Sequence, residues 1–365
     1  MTNITCWSKA IADTIMRRHP DVNSYPFKPW CYPQGFVLWG FEKLWETTGD
    51  RKYYDYIMNY ADGHVDDEGN ISCFKGNSMD DIMTGSILVW AYTQTGLQKY
   101  KLACDKIREV FDTYPRTSHG GFWHAIPKVR WNQMWIDGVF MGQMFLTKYG
   151  KYIGDSEYCF NEAAKQLELI EYYCKKGDTG LLYHAWCEDR SVAWADEATG
   201  CSPEVWSEGL GWYALILVEV LEIFPQEHPK REQMASQLKR LLKGLRKTQD
   251  TETGLWYQVV DKGDLPDNWH ETSGSSMFVY AIKKAMELGF ADAEVYGPVV
   301  EKGYQGITGK AKVDGSGLID IFDACDGLCV KKNYDEYIHH PQKVNAQEVV
   351  AAFLWATWIM EKPKA

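Results

Sequence analysis

Apolar residues recur at helical spacing along nearly the whole chain, and the alternation typical of β-strands is scarce. The chain therefore has the pattern of an all-α protein. We predict about twelve helices, at residues 2–19, 34–48, 51–62, 80–96, 98–114, 131–149, 155–176, 203–224, 228–248, 271–289, 293–306 and 345–361.

A turn rich in glycine and aromatic residues returns between pairs of these helices, mostly about 60 residues apart. Examples are SHGGFWH near residue 118, DTGLLYHAW near 178 and DTETGLWYQ near 250. One helical hairpin plus one turn per repeat predicts an (α/α)6 barrel of six helical hairpins. An open α-solenoid is the alternative, although its repeats are usually shorter. Because no linker interrupts the pattern, we expect a single domain over residues 1–365.

The charge balance limits the partners of the protein. The formal net charge of -11 argues against nucleic acid or an anionic membrane surface, both of which require a basic footprint. An anionic ligand would therefore need local cations. The first twenty residues lack the pattern of a secretory signal, no segment has transmembrane length, and the ten cysteines are scattered, so we expect a cytoplasmic protein with reduced thiols.

One carboxylate, Asp137, lies within an unusually apolar run, GGFWHAIPKVRWNQMWIDGVFMG, at residues 120–142. Burial among such neighbours favours the protonated form of a carboxyl group, which suits a general acid. A buried structural acid that caps a turn or pairs with an arginine is the other interpretation. On a helix, Trp131, Trp135, Gly138 and Gly142 would form one buried stripe to which Asp137 does not belong.

Two adjacent acids, Asp80 and Asp81, begin the predicted fourth helix in SMDDIMTG. Ser78 and Asp81 have the spacing of a capping box, which gives Asp81 a structural role. Asp80 is therefore the better candidate for a second functional carboxylate, although the helix dipole alone could account for either acid.

Two histidines, His124 in GGFWH and His184 in GLLYHAW, follow aromatic residues in equivalent turns. They could bind sugar hydroxyls or a carboxylate. A hydrogen-bonded turn residue is the simpler interpretation of each. The 16 Trp and 22 Tyr residues of the chain could line a carbohydrate cleft or fill the core.

Several motifs together resemble glycoside hydrolase family 105, the unsaturated rhamnogalacturonyl hydrolases. GGFWH, QMWIDGVFMG, GLLYHAW, GLWYQ and ETSGSSMFVY occur in the order of that family, from Asp80 to about Phe290. The resemblance implies that Asp137 is the catalytic acid and base and that Asp80 is the second key carboxylate. That second role would pass to Asp81 if the alignment slips by one residue.

The resemblance also implies a substrate-binding set. It consists of His184, Trp206, Trp212, His124, Trp135 and Trp256, with core packing as the alternative for Trp256. We add Glu208 and Asp81 to the expected substrate-binding residues. In ETSGSSMFVY, Thr272 or Ser273 could cap a helix and Glu271 could face the cavity.

The chain departs from the family at WSEGLGW, residues 206–212, where the family usually has W-x-R-G-N-G-W. Glu208 replaces the arginine, and a glutamate would repel a carboxylate that an arginine would bind. Either another cation, such as Lys128, Arg130 or Arg190, takes over, or Glu208 contacts sugar hydroxyls, or the substrate differs from the family norm. A solvent-facing helix residue is the structural alternative.

The implied reaction is removal of a 4,5-unsaturated uronic acid from the non-reducing end of a lyase-generated oligosaccharide, begun by proton transfer to the enol ether. Two alternatives stay open. One is a hydrolase of the same barrel acting on a saturated glycosidic bond, and the other is a non-catalytic sugar-binding relative. We expect no metal and no cofactor, because His339 and His340 lack further ligands and no phosphate-binding glycine motif occurs. The expected state is a monomer or homodimer.

Overall fold

The structure is a computed structural model that describes residues 4–25 and 29–363. Residues 2 and 3 of the first expected helix lie outside the described residues. The helices are α1 (Trp7–Arg18), α2 (Tyr32–Thr48), α3 (Arg51–His64), α4 (Met79–Met83), α5 (Gly85–Thr95), α6 (Gln98–Thr113), α7 (Ile136–Tyr152), α8 (Ser156–Cys174), α9 (Ser207–Ile223), α10 (Arg231–Thr248), α11 (Thr272–Glu287), α12 (Ala293–Gly309), α13 (Tyr334–Ile338) and α14 (Gln347–Glu361).

The inner ring of the barrel is closed and has six positions, one of which is shared by the two short helices α4 and α5. Going round the ring, α2 packs on α4 and α5, these pack on α7, and then α9, α11 and α14 follow before α14 returns to α2. Each inner helix has an outer partner: α3, α6, α8, α10 and α12 pack on α2, α5, α7, α9 and α11. The (α/α)6 barrel predicted from the repeat is therefore confirmed.

The sixth hairpin is made from the two ends of the described chain, because α1 packs on α14. The Glu361 carboxylate accepts hydrogen bonds from the backbone N–H groups of Trp7 and Ser8, at 2.7 and 2.9 Å. These donors belong to the first turn of α1, whose N-cap residue Cys6 makes no side-chain capping bond. The last helix therefore caps the first one.

Burial separates the two rings of helices. The inner helices α9 and α14 are buried on nearly every side, whereas outer helices such as α10 bury one face and expose the other. The core therefore lies inside the barrel and between the rings. Among the described residues, no helix is long and apolar enough to cross a membrane.

Short strands connect the loops between hairpins, and the sequence pattern did not predict them. They are β1 (Gln133–Trp135), β2 (Ala185–Cys187), β3 (Trp256–Tyr257), β4 (His270–Glu271), β5 (Ala311–Val313) and β6 (Ile319–Ile321). They pair in antiparallel fashion as β1 with β2, β3 with β4 and β5 with β6.

Three predicted helices were wrong in their extent, and α13 was not predicted. The helix expected at 2–19 begins only at Trp7. The helix expected at 131–149 begins only at Ile136, because residues 133–135 form β1. Trp131 and Trp135 are thus not part of a helical stripe, and Trp131 is 46% exposed. The helix expected at 80–96 is divided into α4 and α5 at Thr84.

Candidate active site

A cavity of about 1020 Å³ opens at the end of the barrel where the inner helices begin. Residues in the first turn of α2, α4, α7 and α14 line it, including Tyr32, Asp80, Asp137 and Glu348. Helix N-termini carry partial positive charge and unpaired N–H groups, so acids are favourable there. Carboxylates from several hairpins therefore line the same cavity.

Asp137 reaches the cavity because α7 starts directly after β1. The β1–β2 ladder pairs Trp135 with Ala185, and the Ile136 N–H donates to the His184 carbonyl at 3.1 Å. The ladder therefore fixes the first turn of α7 next to the strand residue that follows His184. Asp137 is 8% exposed, and what exposure it has is toward the cavity that it lines.

The facing side chain is His184, which is fully buried. Its Nε2 lies 3.3 Å from Asp137 Oδ2, and neither atom has a well-aligned hydrogen-bond partner among the described residues. On the other side of the ring, His184 Nδ1 lies 3.0 Å from the Tyr337 hydroxyl. Tyr337 thus orients the imidazole, and the imidazole faces the carboxyl group. His184 is not among the cavity-lining residues, which differs from its expected contact with substrate.

His124 and Trp135 form part of the cavity wall as a stacked pair, with ring centroids 4.3 Å apart and planes inclined by 7°. Burial lowers the pKa of His124, although Asp80 Oδ2 lies 3.7 Å from its Nε2 and acts in the opposite direction. Gly138 allows the His124 ring to pack closely against the start of α7, because a Cβ atom at position 138 would lie 2.9 Å from His124 Nδ1.

Asp80 and Asp81 both line the cavity at the start of α4. Ser78 caps this helix by accepting a hydrogen bond from the Asp80 N–H at 3.2 Å. The Asp81 carbonyl accepts from Trp30 Nε1 at 2.7 Å, which ties α4 to the segment before α2. Asp80 is the one of the two acids that lies next to His124.

Three of the four tryptophans expected to contact sugar, Trp206, Trp212 and Trp256, are buried and do not line the cavity in the described structure. Trp206 packs against His184, with ring centroids 4.6 Å apart, and Trp212 packs between Phe36 and Phe140 inside the barrel. Each of these two is about 1% exposed. They lie behind the cavity wall, which differs from the expectation that they face substrate.

Trp256 follows its core-packing alternative. Its indole N–H donates to the Leu245 carbonyl at 2.8 Å, and its ring packs edge-on against Phe278. The ring therefore joins α10 to α11 and is no stacking wall for a sugar.

Glu208 is also buried, so it is not a solvent-facing helix residue. Its Oε2 lies 2.8 Å from Ser273 Oγ, and the same hydroxyl lies 2.5 Å from Glu271 Oε1. One hydroxyl has one hydrogen to donate. A protonated Glu208 that donates to Ser273, which in turn donates to Glu271, satisfies both contacts.

The surroundings of the two glutamates favour that proton assignment. Burial, followed by the charges of Glu348 and Glu271, raises the pKa of Glu208 well above its ordinary value. Burial also raises the pKa of Glu271, but its carboxylate accepts from the N–H groups of Ser273, Gly274 and Cys325, which stabilise the charge. Glu271, not Thr272 or Ser273, is the N-cap of α11.

Tyr337 and Glu348 were not singled out in the sequence. Tyr337 belongs to the short helix α13 inside a long loop, and Glu348 begins the last helix, where it resembles an ordinary first-turn acid. Glu348 is almost fully buried, its Oε1 accepts from the Tyr32 hydroxyl at 2.6 Å, and its Oε2 has no partner among the described residues. The apolar sequence that follows Glu348 is the one feature from which its burial could have been predicted.

Comparisons with known proteins agree with this geometry. The model of Glycosyl Hydrolase Family 88 matches residues 7–364. A glycoside hydrolase from family 105 of C. acetobutylicum is 31% identical and superposes with a TM-score of 0.91, covering 98% of this chain and 99% of that one.

Curated proteins also match, among them the following two. Protein Atu3128 of Agrobacterium fabrum is 36% identical over 168 residues, which is 46% of this chain and 70% of that protein. The unsaturated 3S-rhamnoglycuronyl hydrolase of Alteromonas sp. (strain LOR) is 22% identical over 288 residues, 76% of this chain and 66% of that protein.

The helical barrel, its acidic cavity and these matches define a glycosidase. The chain belongs to Glycosyl Hydrolase Family 88. The resemblance to family 105 that its motifs indicate is confirmed by the match to the C. acetobutylicum enzyme.

Proposed function

We propose that this glycosidase removes a 4,5-unsaturated uronic acid from the non-reducing end of oligosaccharides produced by a polysaccharide lyase. The observation that carries the proposal is Asp137, a carboxyl group at the cavity wall whose Oδ2 faces a fully buried histidine. The name of the Alteromonas relative, an unsaturated 3S-rhamnoglycuronyl hydrolase, supports the same substrate class.

The chemistry is hydration of an enol ether. Asp137 gives its proton to C4, and the positive charge that develops at C5 is shared with the ring oxygen. Water then bonds to C5 and returns a proton to the Asp137 carboxylate, which restores the acid. The resulting hemiketal opens at the bond between C5 and the ring oxygen, and the hemiacetal left at C1 releases the remaining sugar.

The neighbouring residues have supporting roles in this proposal. His184 is oriented by Tyr337 and positions the Asp137 carboxyl group. It stays beside that group when Asp137 gives up its proton and becomes negatively charged. Asp80, next to His124 at the cavity wall, orients water or the ring hydroxyls. Trp135 offers the cavity an aromatic surface for the apolar face of the sugar.

The test is to follow the ultraviolet chromophore of a lyase-generated unsaturated disaccharide together with sugar release. Hydration predicts that the chromophore disappears as the second sugar appears. Release of sugar with the double bond intact would identify ordinary hydrolysis of the glycosidic bond. Binding with neither change would identify a sugar-binding relative. A panel of unsaturated oligosaccharides that differ in the second sugar would then identify the polysaccharide upstream.

Three further predictions accompany this function. A single domain over residues 1–365, a cytoplasmic location and a monomeric or homodimeric state all stay predictions from the sequence. Limited proteolysis, cell fractionation and light scattering of the purified protein would test them in that order.

A further inference from the structure

The part of the cavity next to α14 is unsuitable for a carboxylate ligand. Glu348 lines the cavity there, and the charges of Glu348 and Glu271 are close enough to raise the pKa of the buried Glu208. Among the described residues, no lysine, arginine or histidine lies within ion-pair distance of these three glutamates. A carboxylate placed there would meet the Glu348 carboxylate, which has no cation within ion-pair distance among the described residues, so this wall suits hydroxyl groups.

Arg130 lies on the cavity wall and differs from the other cations found there. Its guanidinium carbon lies 4.4 Å from the centroid of the Trp135 ring, and its Nη2 donates to Cys329 Sγ at 2.9 Å. Within the described part of the chain, no carboxylate lies within ion-pair distance of it. Lys343 already pairs with Asp326 at 3.0 Å, and Lys75 is exposed at the rim.

The two other cations considered from the sequence are less well placed. Lys128 is exposed and lies 5.9 Å from the centroid of the Trp131 ring. Arg190 is exposed, in a left-handed turn conformation. Neither is among the residues that line the cavity in the described structure.

The position of Arg130 relative to Asp137 also matters, because in an unsaturated uronate the carboxylate is attached to C5, next to the carbon that receives the proton. The cation that binds this carboxylate must therefore lie close to the acid. Arg130 contacts Trp135, which lies two residues before Asp137 and packs edge-on against His184 at 5.3 Å between ring centroids. The guanidinium therefore contacts the same aromatic ring as His184, the residue that faces Asp137.

We propose that Arg130 binds the carboxylate of the substrate and thereby directs the double bond toward Asp137, while the wall at Glu348 receives hydroxyl groups. The inference rests on the proposed function, since it assumes an unsaturated uronate. A planar guanidinium can bind a carboxylate through two parallel hydrogen bonds, and its contact with Trp135 holds it in place for this role.

The experiment compares two substrates with three variants. The substrates are an unsaturated disaccharide and its methyl ester, which lacks the negative charge. Arg130→Gln is expected to lower kcat/KM for the acid by about 30-fold, mainly through KM, and to leave the ester within about threefold. Arg130→Lys retains the positive charge but cannot form two parallel hydrogen bonds with a carboxylate, so it should give an intermediate loss of kcat/KM for the acid. Lys128→Gln is the matched control and should match the wild type on both substrates.

Equal losses on acid and ester would overturn the proposal, because they would indicate a structural role for Arg130. Unchanged activity of Arg130→Gln on the acid would overturn it as well. If the wild type turns over neither substrate, the proposed function fails separately, and calorimetric binding of the acid decides the matter for Arg130. Weaker binding to Arg130→Gln than to Lys128→Gln would then support it, and equal binding would overturn it.

Discussion

Asp137 Oδ2 and His184 Nε2 face each other at 3.3 Å, although the two residues are separated by a complete hairpin. The β1–β2 ladder produces this contact by joining the segment before α7 to the loop that follows α8. The pair is therefore held by backbone hydrogen bonds and not by a flexible loop. Four predictions follow from this pair and from the buried acids around the barrel.

Asp137→Asn should abolish turnover while preserving the fold. The amide is nearly isosteric but cannot donate and recover a proton, so we expect kcat to fall by about 10³-fold or more. Thermal unfolding should stay close to that of the wild type. The control is Asp105→Asn, which removes a carboxylate that accepts from Tyr149, outside the cavity lining. Substantial turnover by Asp137→Asn would contradict the catalytic assignment.

Tyr337→Phe should slow catalysis by releasing the imidazole of His184. The change removes the hydroxyl at 3.0 Å from Nδ1 and leaves that buried atom unpaired, which costs about 1–3 kcal/mol of stability. We expect kcat to fall about tenfold with little change in KM, because Tyr337 is not among the residues that line the cavity. Tyr100→Phe, which removes a hydroxyl bonded to Asp62, provides the control. A kcat equal to that of Tyr100→Phe would show that His184 needs no such support.

Glu208→Gln should make the protein more stable at alkaline pH. The pKa of Glu208 is raised in the folded state, so the native protein holds a proton that the unfolded chain releases. Stability of the wild type therefore falls as pH rises from the ordinary glutamate value toward the raised one, by up to about 1.4 kcal/mol per pH unit. Glutamine removes this dependence.

Urea unfolding at a series of pH values from about 5 to 9 would measure the effect, with the free energy of unfolding compared at each pH. The exposed Glu197→Gln should leave the wild-type profile unchanged. A Glu208→Gln profile parallel to that of the wild type would show that Glu208 is ionised in the folded protein.

Glu219→Gln should destabilise the opposite end of the barrel without affecting the cavity. Burial alone would raise the pKa of Glu219, but Lys43, Lys148 and Lys284 outweigh it and lower the pKa to about 2. This stabilisation is present above the ordinary glutamate pKa and is lost as pH falls through that value toward 2. Removing the charge leaves buried lysines unpaired, so we expect a loss of about 3–5 kcal/mol at neutral pH.

Chemical unfolding and steady-state kinetics on the same preparation would check this result. KM should stay at its wild-type value in the folded fraction, because Glu219 lies near the end of α9, away from the residues that line the cavity. A loss of less than about 1 kcal/mol would mean that water replaces the missing charge.

The barrel could be predicted from the sequence because helical periodicity and the recurring turn both depend on residues that are close together along the chain. Most helix ends lay within a few residues of the expected ones, as for α2, expected at 34–48 and observed at Tyr32–Thr48. The strands could not be predicted in the same way. Each has only two or three residues and is formed by a partner far along the chain, as when Trp135 pairs with Ala185.

The same distinction applies to the cavity. Asp137, Asp80, His124 and Trp135 were expected from motifs, and the structure places all four on the cavity wall. Trp206 and Trp212 belong to the same motifs but point into the core, because a motif does not distinguish a contact with ligand from support behind it. Tyr337 and Glu348 act through contacts with residues more than 150 positions away, which sequence spacing cannot indicate.

The cap that Glu361 provides for α1 has a consequence for biosynthesis. Domains are made from the N-terminus, so α1 emerges from the ribosome long before the helix that it packs against. Until α14 follows, the ring stays open between α11 and α2, and the wall that contains Glu348 does not exist. A nascent chain can thus form its hairpins one after another, yet it gains a complete cavity only when the last helix is released.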